Sequence, residues 1–193
     1  MDLLHKIEQY QPWDEQEARD KEELLRRIRR GESLYTRDNT QAHWTASAWV
    51  VDPERKQVLM AYHKLYDSWA WLGGHADGER DLLAVAIREA REESGLERVC
   101  PVTEEIYSLE ILPVSSHEKR GEVVPAHLHF NLTFLLEADP DAPLRNKEDE
   151  NSAVAWFSPS AAAAASTEPR FRNEIYPKLN AKLHAVKKES TGR

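Results

Sequence analysis

The sequence predicts an α/β protein, because strand-like and helix-like segments alternate along a chain of 193 residues. The clearest strand runs over 126–137, where apolar and polar side chains alternate with a period of two. The clearest helix runs over 81–94, follows two glycines, and repeats its apolar residues at intervals of three and four. The length suits one domain with a substantial core, and we find no linker long enough to divide the chain.

Composition and charge narrow the classes of function. The net charge of −8, from 26 basic and 34 acidic residues, argues against broad electrostatic binding of nucleic acid. The single cysteine, Cys100, excludes an internal disulfide and suits a reducing compartment. The sequence has neither a signal-peptide pattern nor an apolar run of membrane-spanning length. We therefore expect a cytoplasmic protein with no membrane partner.

The first 41 residues are predicted to form a helical extension. Asp14 has the features of a helix start, with Glu17 three residues later as in a capping box, and Gly31 ends this helix. We expect the extension to pack on the main domain or on a partner subunit. The apolar stripes of the terminal helices are compatible with a homodimer.

The rest of the chain, 42–193, is predicted to complete a single globular unit. Strands are predicted over 43–51, 57–63, 104–114, 126–137 and 154–157. An exposed polar loop is predicted over 115–124. Ser158 and Pro159 have the pattern of an N-cap and a first helical residue, and a last amphipathic helix is predicted after Pro169.

Three carboxylates crowd one face of the helix over 81–94. Glu89, Glu92 and Glu93 stand at positions i, i+3 and i+4, where like charges repel. A divalent cation would remove this repulsion, because hard cations take oxygen ligands. The alternative is a surface helix with a solvated acidic face.

The stretch from Gly74 to Leu96 resembles the signature of the Nudix hydrolases, G-x5-E-x7-R-E-U-x-E-E-x-G-U, where U is aliphatic. The matching positions are Gly74, Arg88, Glu89, Ala90, Glu92, Glu93, Gly95 and Leu96. The sequence departs from the signature at Arg80, which stands where the family has a glutamate, and Ala90 is a small residue for its position. The resemblance implies an α/β/α sandwich with a mixed sheet, carrying N-terminal and C-terminal helical extensions.

The resemblance also implies a reaction, the Mg²⁺-dependent cleavage of a pyrophosphate bond in a nucleoside diphosphate linked to another moiety X. It implies that Glu89, Glu92, Glu93 and the carbonyl of Gly73 hold the metal, with Mn²⁺ as a substitute, and that Arg88 orients the glutamates. Glu89 or Glu150 would be the general base, and Glu148 is a second choice in the same loop as Glu150. A solvated loop is the alternative for both loop residues.

Three further residues are candidates for contact with substrate. Trp71 precedes the double glycine, where it would stack on a base or sugar or pack in the core. His127 and His129 share one face of the strand over 126–137. A cleft wall that contacts a phosphate or base is the first interpretation of this pair, a solvated face the second, and a zinc site the third. His75 and His117 are possible additional zinc ligands.

Two other functions remain open from the sequence. A Nudix-fold module that binds a nucleotide or sugar-nucleotide without cleaving it is favoured by Arg80 and opposed by the intact glutamates. An RNA-decapping enzyme would need a basic track, which the negative net charge does not favour.

Overall fold

The computed structural model describes residues 2–119 and 122–185. Its helices are α1 (Leu3–Gln9), α2 (Glu15–Arg29), α3 (Leu82–Ser94), α4 (Pro159–Ala165) and α5 (Tyr176–Ala185), with a π-helical turn at Phe171–Ile175. Its strands are β1 (Ala42–Val51), β2 (Val58–His63), β3 (Ser68–Ala70), β4 (Leu72–His75), β5 (Cys100–Pro101), β6 (Ser108–Val114), β7 (His117–Lys119), β8 (Glu122–Val124), β9 (His127–Glu137) and β10 (Asn151–Phe157). None of the helices in the described residues is both long and apolar enough to cross a membrane.

The sheet is built around β1, which is buried over its whole length. β1 pairs in parallel with β9, whereas β2 and β4 pair with β1 in the antiparallel sense. β5 and β6 continue the sheet beyond β9, and β3 and β10 continue it beyond β2. The sheet is therefore mixed, as the resemblance implies.

Two hydrophobic cores lie on opposite faces of this sheet, because side chains alternate along each strand. Even-numbered residues of β1, such as Trp44 and Ala46, join α1, α2 and α3 in the first core. Trp49 and Val51 join α4 and α5 in the second core. Helices thus cover both faces of the sheet, and the predicted three-layer fold is confirmed.

The N-terminal extension is fastened to the C-terminal helix by buried ion pairs. Asp14 caps α2 by accepting from the Glu17 N–H, as predicted. The fully buried Glu17 carboxylate reaches back to the N–H of Trp13 at 2.7 Å, one residue before the N-cap that a capping box would use, and it also binds Lys178 at 3.0 Å and Lys182. Lys178 also lies 2.8 Å from Glu110 of β6. We call Glu17, Glu110, Lys178 and Lys182 the buried ion network.

Several predicted boundaries change in the structure. The segment over 115–124 is not simply a loop, because β7 and β8 pair as a hairpin. The strand predicted over 104–114 begins only at Ser108, and the last strand begins at Asn151 rather than Val154. The end of the predicted domain, 186–193, lies outside the described residues.

Candidate active site

Local sequence signals fix both ends of α3. Asp81 caps the helix by accepting from the N–H groups of Leu83 and Ala84. Gly95 ends it in the left-handed conformation, at a φ of 72°. A side chain at Gly95 would also place its Cβ 2.8 Å from the Cβ of Arg145. The apolar side of α3 packs on the sheet, which turns its carboxylates toward β4 and the loop before β10.

Glu93 is the most deeply buried of these carboxylates, at 4% exposure. Its Oε2 accepts a hydrogen bond of 3.0 Å from the Gly73 N–H. Burial raises the pKa of Glu93 to about 8, and the charges of Glu89 and Glu150 act in the same direction, against the Gly73 N–H and the Asn151 amide. Without a bound cation, this carboxyl is therefore largely protonated at neutral pH.

Glu89 lies over the double glycine. A Cβ on Gly74 would come within 2.6 Å of the Glu89 Cδ, so glycine is needed for this carboxylate to approach the loop. Arg88 donates to Glu89 Oε1 at 2.8 Å and to the His75 carbonyl at 3.4 Å. Arg88 thus holds Glu89 beside the loop, in the arrangement that the resemblance implies for this pair.

Glu92 and Glu150 meet through a lysine that the sequence analysis did not single out. Lys147 Nζ lies 2.8 Å from Glu150 Oε2 and 3.6 Å from Glu92 Oε2. Arg88 Nε also lies 4.0 Å from Glu92. The loop before β10 therefore brings Glu150 to the carboxylates of α3. Lys147 precedes Glu150 by three residues, but nothing local marked it as part of the site.

Gly73 is placed by the close approach of β4 to β1. It is the register partner of Ser47, and a Cβ there would lie 2.5 Å from the Ala46 carbonyl oxygen. The glycine thus serves the packing of two strands and lets its N–H reach Glu93. Its role as a metal ligand stays a prediction.

Arg80 and Glu79 are both used near the start of α3. The Arg80 guanidinium lies over the Tyr35 ring, 5.3 Å from its centroid. The Glu79 carboxylate accepts from the N–H groups of Arg80 and Asp81. In this conformation the Glu79 carboxylate stabilises the turn.

The site contains the donor type that a hard divalent cation prefers, although among the described residues only the histidines His43, His75 and His129 bring three ligand atoms within 4.8 Å of one another. Glu89, Glu92, Glu93 and Glu150 supply carboxylate oxygens, which Mg²⁺ and Mn²⁺ prefer. Arg88 and Lys147 offset part of the negative charge, although Glu93 forms no ion pair within the described part of the chain.

Trp71 and the histidines lie on the face of the sheet that carries α4 and α5. Trp71 is half-buried and packs edge-on against Phe171 and Tyr176, which supports the packing interpretation for part of its surface. His127 and His129 face away from Phe130 as predicted, and their Nε2 atoms are 3.1 Å apart. His127 is buried, so a solvated face is excluded for it.

The sequence model of the NUDIX domain matches residues 41–179. The chain belongs to the NUDIX domain family. It is a Nudix-type hydrolase that acts on pyrophosphate bonds, and the family predicted from the resemblance is confirmed. No curated protein gives a match to the chain.

Solved structures with the same fold share little sequence with this chain. A C. elegans Ap4A hydrolase, in a binary complex, is 18% identical with a TM-score of 0.54, covering 74% of this chain and 98% of that one. The E. coli dihydroneopterin triphosphate pyrophosphohydrolase is 18% identical with a TM-score of 0.52, covering 75% and 97%. RenU, a Nudix hydrolase from M. smegmatis, is 16% identical with a TM-score of 0.54, covering 75% and 88%. At this identity the likeness establishes the fold.

Proposed function

We propose that this Nudix hydrolase cleaves, with Mg²⁺, the pyrophosphate bond of a nucleoside diphosphate linked to another moiety X. One observation carries the proposal. Four carboxylates lie around the double glycine, and the most buried of them, Glu93, has a backbone N–H and an amide near it, and no cationic side chain among the described residues forms an ion pair with it. Burying an ionised carboxylate without a counter-charge costs free energy. A bound divalent cation would supply that counter-charge.

Each residue of the proposed active site has a separate role. A bound Mg²⁺ would neutralise phosphate charge and lower the pKa of the attacking water. Glu89, Glu92 and Glu93 would supply oxygen ligands, and the Gly73 N–H orients Glu93. Arg88 orients Glu89. Glu89 or Glu150 would accept the proton of the attacking water, and the Gly73 carbonyl would be a further oxygen ligand.

The substrate class rests on the family and on the named neighbours. The C. elegans neighbour is named an Ap4A hydrolase and the E. coli neighbour a dihydroneopterin triphosphate pyrophosphohydrolase, so both act on small phosphorylated compounds. We propose a small nucleotide derivative for this chain as well. Trp71 is the proposed contact to its base or sugar, and His127 and His129 are proposed contacts to a base or phosphate in the chain without a metal bound to these imidazoles.

A panel of diphosphate compounds tests this function. The panel contains a nucleoside triphosphate, a sugar-nucleotide, a dinucleoside polyphosphate and a dinucleotide coenzyme, each incubated with Mg²⁺, with Mn²⁺ and with a chelator. We expect metal-dependent release of a nucleoside monophosphate, inorganic phosphate or pyrophosphate from at least one compound. Cleavage that is unchanged by the chelator would contradict the proposal.

Binding without cleavage, the alternative that the sequence left open, rests on Arg80 and is opposed by the family assignment. The position holds a cation engaged with Tyr35, not an acid directed at the metal. Calorimetry with the same panel separates the two candidates, because a binding module would show heats of binding with no product under either metal.

Three broader expectations accompany the proposal. We propose that 1–41 is an extension of a Nudix domain spanning 42–193, joined into one unit by the buried ion network. A homodimer and a cytoplasmic location stay predictions. Light scattering of the full chain measures the oligomeric state.

A further inference from the structure

Five of the eight histidines gather at one place, beside the double glycine. They come from four strands: His43 from β1, His75 from β4, His117 from β7, and His127 and His129 from β9. The His43 ring centroid lies 5.1 Å from that of His75, 4.9 Å from His127 and 5.1 Å from His129. His117 is the outermost, with its centroid 6.3 Å from that of His127.

Nitrogen atoms in this cluster are spaced for a metal ion. One ring nitrogen from each of His43, His75 and His129 lies within 4.8 Å of the other two. The Nε2 atoms of His127 and His129 are 3.1 Å apart. In a tetrahedral zinc site with Zn–N distances of about 2.0–2.1 Å, neighbouring ligand nitrogens are roughly 3.3 Å apart. Ring movements of up to about 1.5 Å would bring the three nitrogens to this spacing.

Backbone carbonyls fix which nitrogen of two rings is available. His43 Nδ1 lies 3.1 Å from the Asn39 carbonyl, and His127 Nδ1 lies 2.8 Å from the Pro125 carbonyl. A carbonyl only accepts, so each Nδ1 carries the proton; the His127 Nε2 then accepts from the Nε2–H of His129, a hydrogen bond that a shared metal ion would replace. The same carbonyl–imidazole contact orients histidine ligands in metal sites.

His43 supplies an independent sign that something is bound here. The residue is 4% exposed, and its Nε2 has no hydrogen-bond partner within the described part of the chain. A buried acceptor without a partner costs about 1–3 kcal/mol. A metal ion that accepts this lone pair would remove the penalty.

We propose that His43, His75 and His129 bind a divalent transition-metal ion of the zinc class, with His127 beside them as a fourth imidazole. Imidazole nitrogens select zinc and its neighbours over Mg²⁺, so this site is chemically distinct from the carboxylates of α3. His75 directly follows Gly74, and its carbonyl accepts from Arg88. A metal held here ties the end of β4 to β1 and β9 and thereby positions the glycine loop.

Zinc titration of the full chain after removal of metal tests the proposal. We expect one equivalent of Zn²⁺ to bind, and Co²⁺ at the same site to give the visible absorption of tetrahedral nitrogen coordination. His129→Gln and His75→Gln should each weaken zinc binding more than about 100-fold, because even outer-shell changes cost about 10–100-fold. The matched control is His184→Gln, an exposed imidazole on α5.

The double variant Glu92→Gln with Glu93→Gln separates this site from the proposed hydrolase site. We expect it to bind zinc as the unmodified chain does, even if no turnover is found in any protein. Circular dichroism shows which histidine variants are folded. If a variant does not fold, the cobalt spectrum of the unmodified chain still tests for nitrogen ligands. The proposal is overturned if the unmodified chain binds no zinc, or if the carboxylate variant rather than the histidine variants loses it.

Discussion

Two buried glutamates, Glu17 and Glu93, lie in opposite electrostatic surroundings. Burial alone would raise the pKa of Glu17, but the charges and hydrogen bonds of Lys182 and Lys178 outweigh it and lower the pKa to about 2. Among the described residues Glu93 has an N–H and an amide near it and no lysine in an ion pair, and burial raises its pKa to about 8. The same side chain is therefore charged in one place and largely protonated in the other.

The difference separates an acid that stabilises the fold from one that is available to a ligand. Glu17 already has its counter-ions, and it joins the N-terminal extension to α5 and β6. Glu93 forms no ion pair among the described residues, and it lies beside the double glycine, where a bound cation could supply the positive charge. In this domain, a buried carboxylate that is paired with lysines is assigned to the stability of the fold, and one without a cationic side chain beside it is assigned to the binding of a ligand.

The largest expected effect on stability comes from removing the Glu17 charge. Glu17→Gln leaves Lys178 and Lys182 buried with one carboxylate fewer, and breaking a buried pair costs about 3–5 kcal/mol. Urea unfolding should show this fall in the free energy of unfolding, whereas Glu15→Gln, at an exposed residue of α2, should change it little. A fall of under about 1 kcal/mol in Glu17→Gln would contradict the assignment.

Glu93→Gln should have the reverse pattern, with activity lost and stability kept. A bound metal stabilises the transition state by several kcal/mol, and removing one carboxylate ligand loses part of this stabilisation. We therefore expect turnover of a compound that the unmodified chain cleaves to fall about 10²–10³-fold. The melting temperature of the metal-free variant should equal or exceed that of the unmodified chain. Glu97→Gln, at an exposed residue just beyond α3, is the matched control. Full turnover in Glu93→Gln would remove this residue from the site.

The pH dependence of stability should differ in sign between the two acids. For Glu93 the folded pKa is raised from 4.5 to about 8, so its contribution is present below pH 4.5 and is lost as pH rises to about 8. For Glu17 the folded pKa is lowered from 4.5 to about 2, so its contribution is present above pH 4.5 and is lost as pH falls to about 2. A tenfold difference in proton affinity between the folded and unfolded chains corresponds to about 1.4 kcal/mol of stability.

Unfolding curves with a chelator, taken from pH 2 to 9, measure these two windows. Relative to Glu93→Gln, the unmodified chain should lose stability between pH 4.5 and about 8. Relative to Glu17→Gln, it should lose stability only at acid pH. Parallel curves for all three proteins would show that neither carboxyl has a shifted pKa.

Arg80→Glu should have the smallest effect. The exposed Arg80–Tyr35 contact contributes about 0.5–1 kcal/mol, so the melting temperature should fall slightly. Restoring the family's acid should change turnover and the Mg²⁺ requirement by less than about tenfold, a difference of at most about 1.4 kcal/mol. Arg80→Gln separates loss of the cation from gain of the acid. A gain of activity only in Arg80→Glu, by more than tenfold, would show that the acid itself is needed.

Local patterns predicted the elements that hold the site. The period-two alternation of β9 placed Leu128 and Phe130 on one face and the histidines on the other, as the structure has them. Asp81 and Gly95 lie at the ends of α3, where local signals act within a turn of the helix. The hairpin of β7 and β8 was missed, because its short polar strands lack an apolar face.

The sequence by itself determined the family, the fold class and the three acids on one face of α3, because motif spacing and hydrophobic periodicity are local properties of the chain. Only the tertiary structure decided which acids have lysine partners and which do not. Glu17 and Lys182 are 165 positions apart, Lys147 reaches α3 from a distant loop, and His43 meets His129 through a parallel strand pair. Burial and counter-charge set each pKa, and both depend on neighbours that long-range packing supplies.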